Sequence, residues 1–286
     1  MKNLFCLVLM TFVSFSCSNS DENETTKNVI DPTKLKKVIF YPGIQIEEHW
    51  NFYNNGLLKE ITKPDETIVQ NFTYDSKKRL ISSTLFGDNG IDETHNFTYD
   101  KNDFVTSVDG EIVNYDSKTN SYYIGDTNQF YRTIVINSEK LLVYSKTAYM
   151  DLDVDINNGN SFEVIMDDIS IGYSKINNVI YYSRNEGCNS FTYDNNKNPL
   201  RDSTLPICRA FSYIGYTRWI NGLYNSANNP ISAKYCLEDP ESNVHQYTYN
   251  SNNLPLTQTR NDYYLGKFEA SYISALYFYQ GDVIPN

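Results

Sequence analysis

Phe72-Thr73-Tyr74-Asp75-Ser76-Lys77-Lys78-Arg79-Leu80 decides the fold, because its first four residues recur verbatim at Phe97–Asp100 and Phe191–Asp194. A string repeated with similar sequence behind it marks an internal repeat, and a repeat sets the architecture before any other feature is weighed. The alternation Phe-x-Tyr has period two, so both rings fall on one face of a strand. Asp75 and the polar run behind it are turn chemistry, short side chains that bond nearby backbone and tolerate positive φ. Leu80 then opens a return strand. Each unit reads as a β-hairpin, and successive hairpins read as an antiparallel meander.

Looser copies extend the pattern in both directions: Trp50-Asn51-Phe52 leading to Gly56 and Leu58, Val113-Asn114-Tyr115-Asp116, Tyr224 leading to Pro230-Ile231, and Tyr247-Thr248-Tyr249-Asn250 leading to Pro255-Leu256. Leu200 and Leu256 take the place of Leu80. Pro199, Pro230 and Pro255 sit where a return strand is expected to begin, a position that tolerates a missing N–H. No stretch behind the N-terminal segment reads as a helix. The expectation is an all-β fold over residues 36–286, an antiparallel meander of repeated hairpins forming a curved or partly rolled sheet.

These units resemble YD repeats, the tyrosine–aspartate repeats of RHS and teneurin-type proteins, whose motif runs Tyr-Asp, two polar residues, Gly, Arg, Leu. Asp75 to Leu80 follows it with Lys78 in place of the Gly; Gly56 supplies the Gly where Phe52 replaces the Tyr. The resemblance weakens through residues 117–187. In the large members such repeats roll into a hollow shell around a toxin, which a chain of this length is not expected to build. The closer likeness is to small YD-type lipoproteins of Bacteroidetes-like bacteria, which implies an outer-membrane, lipid-anchored location, with the cell exterior as one of the two faces open to it.

The first residues agree with that implication on their own terms. Lys2 gives a positive n-region, and Leu4 to Phe15 an apolar stretch too short to span a bilayer. Ser16-Cys17 follows where a cleavage site belongs, so residues 1–16 read as a lipoprotein signal peptide and Cys17 as the acylated N-terminus. Residues 17–35 are small, polar and acidic, the composition of a disordered tether.

Net charge is −11, with no basic cluster, which argues against nucleic acid as a partner because phosphates need Lys and Arg. The expected partners are the membrane, through the lipid, and a glycan or surface protein. Cys188, Cys208 and Cys236 remain for an oxidising compartment. A disulfide between Cys188 and Cys208 is expected, with Cys208–Cys236 the alternative. No Cys-x-x-Cys spacing points to zinc.

Of the three histidines, His95 and His245 each stand two residues before the first aromatic of a repeat, and His49 directly before Trp50. They read as members of the pattern, not as a converging metal or catalytic site. Asp151, Asp153 and Asp155 alternate with apolar residues, the pattern of a strand with a polar face ending at Asn157-Asn158-Gly159; calcium loops use similar alternation but with a different Gly and a closing Glu. Asp167, Asp168, Glu238 and Asp239 could serve as paired carboxylates of a hydrolase, yet nothing local places two across a cleft. No cofactor fingerprint is present. The remaining candidate is an aromatic platform, Tyr213, Tyr216, Arg218, Trp219 and Asn221, whose flat faces and donors suit a sugar ring or peptide. The reading is a non-catalytic, lipid-anchored binding protein. An envelope assembly component and a hydrolase with an unrecognised site are the alternatives.

Acylation at Cys17 is directly testable. Metabolic labelling with a clickable palmitate should mark the wild type and lose the mark in Cys17→Ala; equal labelling of both would remove the anchor from the account.

Overall fold

A computed structural model describes residues 30–87, 90–125, 130–138, 141–151, 162–175, 178–184, 187–203, 226–235 and 241–284. Eighteen strands and one 3-10 turn make up these residues, with no α-helix among them. The first nine strands are β1 (Leu35–Phe40), β2 (Glu48–Phe52), β3 (Leu58–Thr62), β4 (Ile68–Tyr74), β5 (Leu80–Gly87), β6 (Gly90–Tyr99), β7 (Val105–Val108), β8 (Glu111–Asp116) and β9 (Ser121–Gly125). Next come β10 (Phe130–Ile136), β11 (Leu142–Asp151), β12 (Phe162–Tyr173), β13 (Val179–Arg184) and β14 (Gly187–Lys197). After the 3-10 turn follow β15 (Asn228–Tyr235), β16 (Glu241–Tyr249), β17 (Pro255–Tyr264) and β18 (Lys267–Tyr279).

Every strand pairs antiparallel with its neighbours in sequence, as a meander requires. The weakly patterned residues 117–187 continue the same meander through β9 to β13. The two ends of the sheet also meet: β1 pairs with β18 from Leu35↔Tyr279 to Phe40↔Ala275. The sheet is thus rolled, as its sequence suggested, and its first and last strands are spared a bare edge of unpaired N–H and C=O groups.

The turns explain the repeat. Asp75 Oδ1 accepts from the backbone N–H of Lys77 and of Arg79, both at 2.9 Å. Asp100 does the same for Asn102 and Phe104, and Asn250 for Asn252 and Leu254. One residue in each such turn is left-handed: Gly56 at φ +83°, Lys78 at +65°, Asp103 at +64° and Asn253 at +57°. Glycine takes that conformation freely, whereas an L side chain there costs about 1–2 kcal/mol. Lys78 therefore occupies a position built for Gly.

Arg79 binds the unit to the next. Its guanidinium meets Asp75 Oδ2 at 2.7 Å and Asp103 Oδ1 at 2.8 Å, and lies 4.7 Å from the centre of the Tyr99 ring.

The aromatics face inward as expected. Trp50, Phe52, Phe72 and Phe97 are buried, and Tyr74, Tyr99 and Phe191 pack against the same core. A register shift recurs just before the tyrosine, at Thr73/Tyr74, Thr98/Tyr99 and Thr248/Tyr249. Bulges of this kind bend a strand and increase its twist, which curls the sheet. The tyrosine hydroxyls then tie each unit to the one before. Tyr99 donates to Leu80 O at 2.6 Å, Tyr173 to Leu142 O at 2.9 Å and Tyr279 to Pro255 O at 2.8 Å. Tyr193 makes the same bond to Val179 O. All four acceptors are the first residues of their strands.

One expected hairpin is absent. Pro199 and Leu200 do not open a strand but form the 3-10 turn Pro199–Asp202, with Asn198 capping it and Pro199 in its first turn. An Asn cap followed by Pro favours a helical start over a strand, which is why this copy departs from the others. Leu200 is buried in the common core, and Ser203 O accepts from Leu58 N at 2.8 Å. β3 and β14 are not neighbours in the sheet, so this contact crosses the interior. Pro230 likewise is the third residue of β15 instead of its first, beside a register irregularity that absorbs its missing N–H.

Tyr99→Phe should lower unfolding stability by about 1–3 kcal/mol, because the Leu80 carbonyl loses its donor at a half-buried site. Tyr123→Phe, at a ring 37% exposed, should stay within about 0.5 kcal/mol. Chemical denaturation of both variants decides whether the hydroxyl ties carry stability.

Candidate functional site

Strands β16 and β17 lie side by side with His245 opposite Arg260, Asn243 opposite Asp262 and Tyr247 opposite Gln258. The period-two rule puts Asn243, His245 and Tyr247 on one face, and Gln258 and Arg260 on the same face of the next strand. That face is the inner one, since Asn243, His245 and Gln258 are all buried. Phe40 and Tyr41 from the end of β1, Phe191 and Asn189 from β14, Ala233 from β15, and Ser274 and Tyr277 from β18 complete a cavity of about 100 Å³. Asn198 and Leu200, at the 3-10 turn, also line it.

The polar groups of this wall hold one another in place. Gln258 Nε2 donates to His245 Nδ1 at 3.0 Å, Ser274 Oγ donates to Gln258 O at 3.2 Å, and Tyr247 OH donates to Pro230 O at 3.0 Å. Arg260 Nε donates to Asp262 Oδ1 at 2.6 Å, and Tyr272 OH donates to Asp262 Oδ2 at 3.1 Å. Burial, and then the neighbouring Arg260 cation, push the His245 pKa down to about 4 against the opposing pull of Asp262. The imidazole is therefore neutral near pH 7. With Nδ1 accepting from Gln258, its proton sits on Nε2.

Two groups are left over. Asn243 Oδ1 is buried without a hydrogen-bond partner. The His245 Nε2–H has no acceptor among the described residues. An unpartnered buried acceptor costs about 1–3 kcal/mol, so the wall is incomplete as it stands. It offers one acceptor, several donors, aromatic and aliphatic flanks, and an Arg–Asp pair whose charges cancel. Such a surface can hold a small, uncharged ligand that both donates and accepts hydrogen bonds.

His245 was legible as a repeat position but not as a cavity group. The other residues at that position behave differently: His95 lies between Asp109, at 2.6 Å, and Glu93, at 2.9 Å, and Gln70 donates to Ser83 at 2.8 Å. The available signal was a run of polar residues at alternate inward positions, Asn243 and His245 against Gln258 and Arg260. His49 is separate again, 2.6 Å from Glu47.

Cys17, Cys208, Cys236, Tyr213, Tyr216, Arg218, Trp219 and Asn221 lie outside the described residues, as do Asp153, Asp155, Glu238 and Asp239. Cys188 is the second residue of β14. Asp151 ends β11, and Asp167 and Asp168 stand in β12. No group of three potential metal ligands occurs among the described residues.

No protein-family model matches the chain, and no curated protein matches it. Among solved structures, a porin-like protein from Bacteroides uniformis is similar over 86% of this chain and 97% of its own, at 11% identity and a TM-score of 0.36. A porin-like protein from Bacteroides vulgatus covers 70% of this chain and 97% of its own, at 14% identity and 0.29. A chain of the Photorhabdus luminescens Tc holotoxin pore covers 79% of this chain and 14% of its own, at 10% identity and 0.23. Similarity at this level carries no argument about ligand or activity.

The buried histidine makes stability pH-dependent with a definite sign. Its folded pKa lies below its unfolded value near 6.5, so the unfolded chain takes up the proton first and stability falls as pH drops from 6.5 towards 4. Between pH 7 and 5 the loss should be about 2 kcal/mol from this group. Denaturation midpoints of wild type and His245→Gln should diverge over that range, the variant being flatter; parallel curves would show the imidazole to be protonated in place.

Proposed function

We propose that this chain is a non-catalytic envelope protein, held at the outer membrane by an acylated Cys17, that binds a sugar ring or short peptide segment in the cavity between β14 and β18. The observation that carries the reading is the incomplete wall: a buried Asn243 Oδ1 without a donor beside the donors of His245 and Arg260. A ring with several hydroxyls, or a peptide unit, has the mixed donor and acceptor character to complete it. Phe40, Phe191 and Tyr277 give such a ligand apolar flanks.

The sheet's outer face supports anchoring by lipid in place of spanning strands. Exposed hydroxyl pairs stand across neighbouring strands at Thr98–Thr106 (2.8 Å), Thr192–Ser232 (2.6 Å) and Thr248–Thr257 (2.7 Å). A strand wall in contact with lipid carries an outward apolar band instead. The aromatic stretch Tyr213, Tyr216, Arg218, Trp219 and Asn221 enters the proposal as a second contact. It falls in the connection whose described ends, Ser203 and Ser226, are buried next to the cavity-lining Asn198 and Leu200.

A glycan and peptide array read with wild type and Asn243→Leu tests the site. Leucine is close in shape and removes an unpartnered amide, so stability should be unchanged or higher while binding falls at least tenfold. Arg260→Met should weaken binding to the same ligand. Equal array signals for wild type and both variants would move the site elsewhere.

A further inference from the structure

The β17–β18 hairpin turns on two residues, Leu265 and Gly266, between the pair Tyr264↔Lys267. Both have positive φ, +49° and +73°, the geometry of a type I′ turn, whose first position favours Asn, Asp or Gly. The β7–β8 turn has the same form, between Val108 and Glu111, and uses Asp109 at +54° with Gly110 at +84°. Leucine at the equivalent place is strained by its backbone and gains nothing from packing, being 70% exposed. Neither local conformation nor the core accounts for it. Residues held in such strain concentrate where a surface is used.

Its surroundings point the same way. Tyr264 and Phe268 flank it, 45% and 59% exposed, on a hairpin whose residues 267–271 are exposed at every position and so project beyond the core. In an up-and-down meander the connections β1–β2, β5–β6 and β7–β8 emerge at the same end as β17–β18. Ile46, Ile91 and Ile112 stand in or beside those three connections, 60%, 68% and 72% exposed. The opposite end carries the Asp- and Asn-headed turns, with exposed Asn54, Lys77, Lys101 and Asn252, and its exposed apolar residues Ile30 and Val283 belong to the segments before β1 and after β18. Apolar residues at these four tips, beside a β3–β4 connection of exposed Lys63, Pro64, Asp65 and Glu66, make this end an interaction surface.

We propose that this end, led by Leu265 and Phe268, docks onto a protein that presents an apolar pocket bordered by lysine or arginine. Charge selects that occupant. The exposed ionisable groups near the β5–β6, β7–β8 and β17–β18 tips are Asp92, Glu93, Asp109, Glu111 and Glu269 against Lys267, and the β3–β4 connection adds Asp65 and Glu66 against Lys63. A second copy would set carboxylates against carboxylates, and an anionic lipid surface would repel them. The chain also enters β1 at the far end, where Lys34 O accepts from Gln280 N, so a tether attached there leaves the apolar end facing away from its anchor.

The test begins with the full-length protein and Leu265→Asn, the residue the turn prefers. The melting temperature should hold or rise, while binding should weaken, a combination that a merely structural leucine would not give. A labelled fourteen-residue amphipathic peptide of leucine and lysine serves as the probe in fluorescence anisotropy. Wild type should bind it at least tenfold more tightly than Leu265→Asn, and raising NaCl from 50 to 500 mM should weaken binding by a similar factor. A photoreactive amino acid in place of Lys267 should then give, in intact cells, one cross-linked protein species that disappears with Leu265→Asn. Equal peptide binding by both proteins would overturn the proposal. So would flotation with phosphatidylcholine–phosphatidylglycerol vesicles lost in the variant, or a Leu265-dependent dimer in sedimentation equilibrium.

Discussion

At three of the turns one carboxylate or amide oxygen accepts two backbone N–H groups, and the register of the strands they join follows from that contact. Asp75, Asp100 and Asn250 each hold the chain in the same short reversal. Because side chains alternate with period two, a slip of one residue would send every aromatic to the solvent face. The turn oxygen therefore determines that Phe72 and Phe97 are inside. The bulge before each tyrosine then adds twist, and the tyrosine hydroxyl reaches the first carbonyl of the preceding strand. Rolling is the sum of these local bends, and it ends only when β18 lies against β1.

The same register explains why a polar cavity can exist inside an aromatic sheet. Inward positions are dictated by the pleat, not by hydrophobicity, so Asn243, His245 and Gln258 are carried inside as surely as Trp50, with Arg260 half-buried beside them. Inside, neutralisation and mutual bonding compensate most of the desolvation. His245 gives up its charge, Arg260 shares Asp262, and Gln258 bridges to His245. The compensation stops at Asn243 Oδ1 and the His245 Nε2–H. Such a wall is pre-organised for something that supplies both a donor and an acceptor.

The two ends of the sheet have diverged because they answer to different demands. At the Asp- and Asn-headed end, the turns must bond their own backbone, which keeps them short and polar. At the other end the β7–β8 and β17–β18 turns close without such a bond, and two hairpins outrun the core. Their exposed residues contribute little to folding. What they carry, including a leucine in a left-handed position, is therefore open to selection by something outside the molecule.

Much of the fold was legible in short strings. Phe72-Thr73-Tyr74-Asp75 announces a strand with one aromatic face and a turn behind it, and Lys78 betrays a glycine position, because strand alternation and turn bonding are interactions within a few residues. The Asn198-Pro199-Leu200 copy misled for the same reason: its local capping favours a 3-10 turn, and the sequence pattern alone ranked it with the hairpins. The contact of β1 with β18 and the meeting of His245, Arg260, Phe40 and Phe191 around one cavity had no local signature. They join residues far apart in the chain, and which of them meet depends on the accumulated twist of many strands. The sequence by itself determined the hairpin, its register and which side chains turn inward. Only the tertiary structure decided how far the sheet rolls, and so which inward residues face one another.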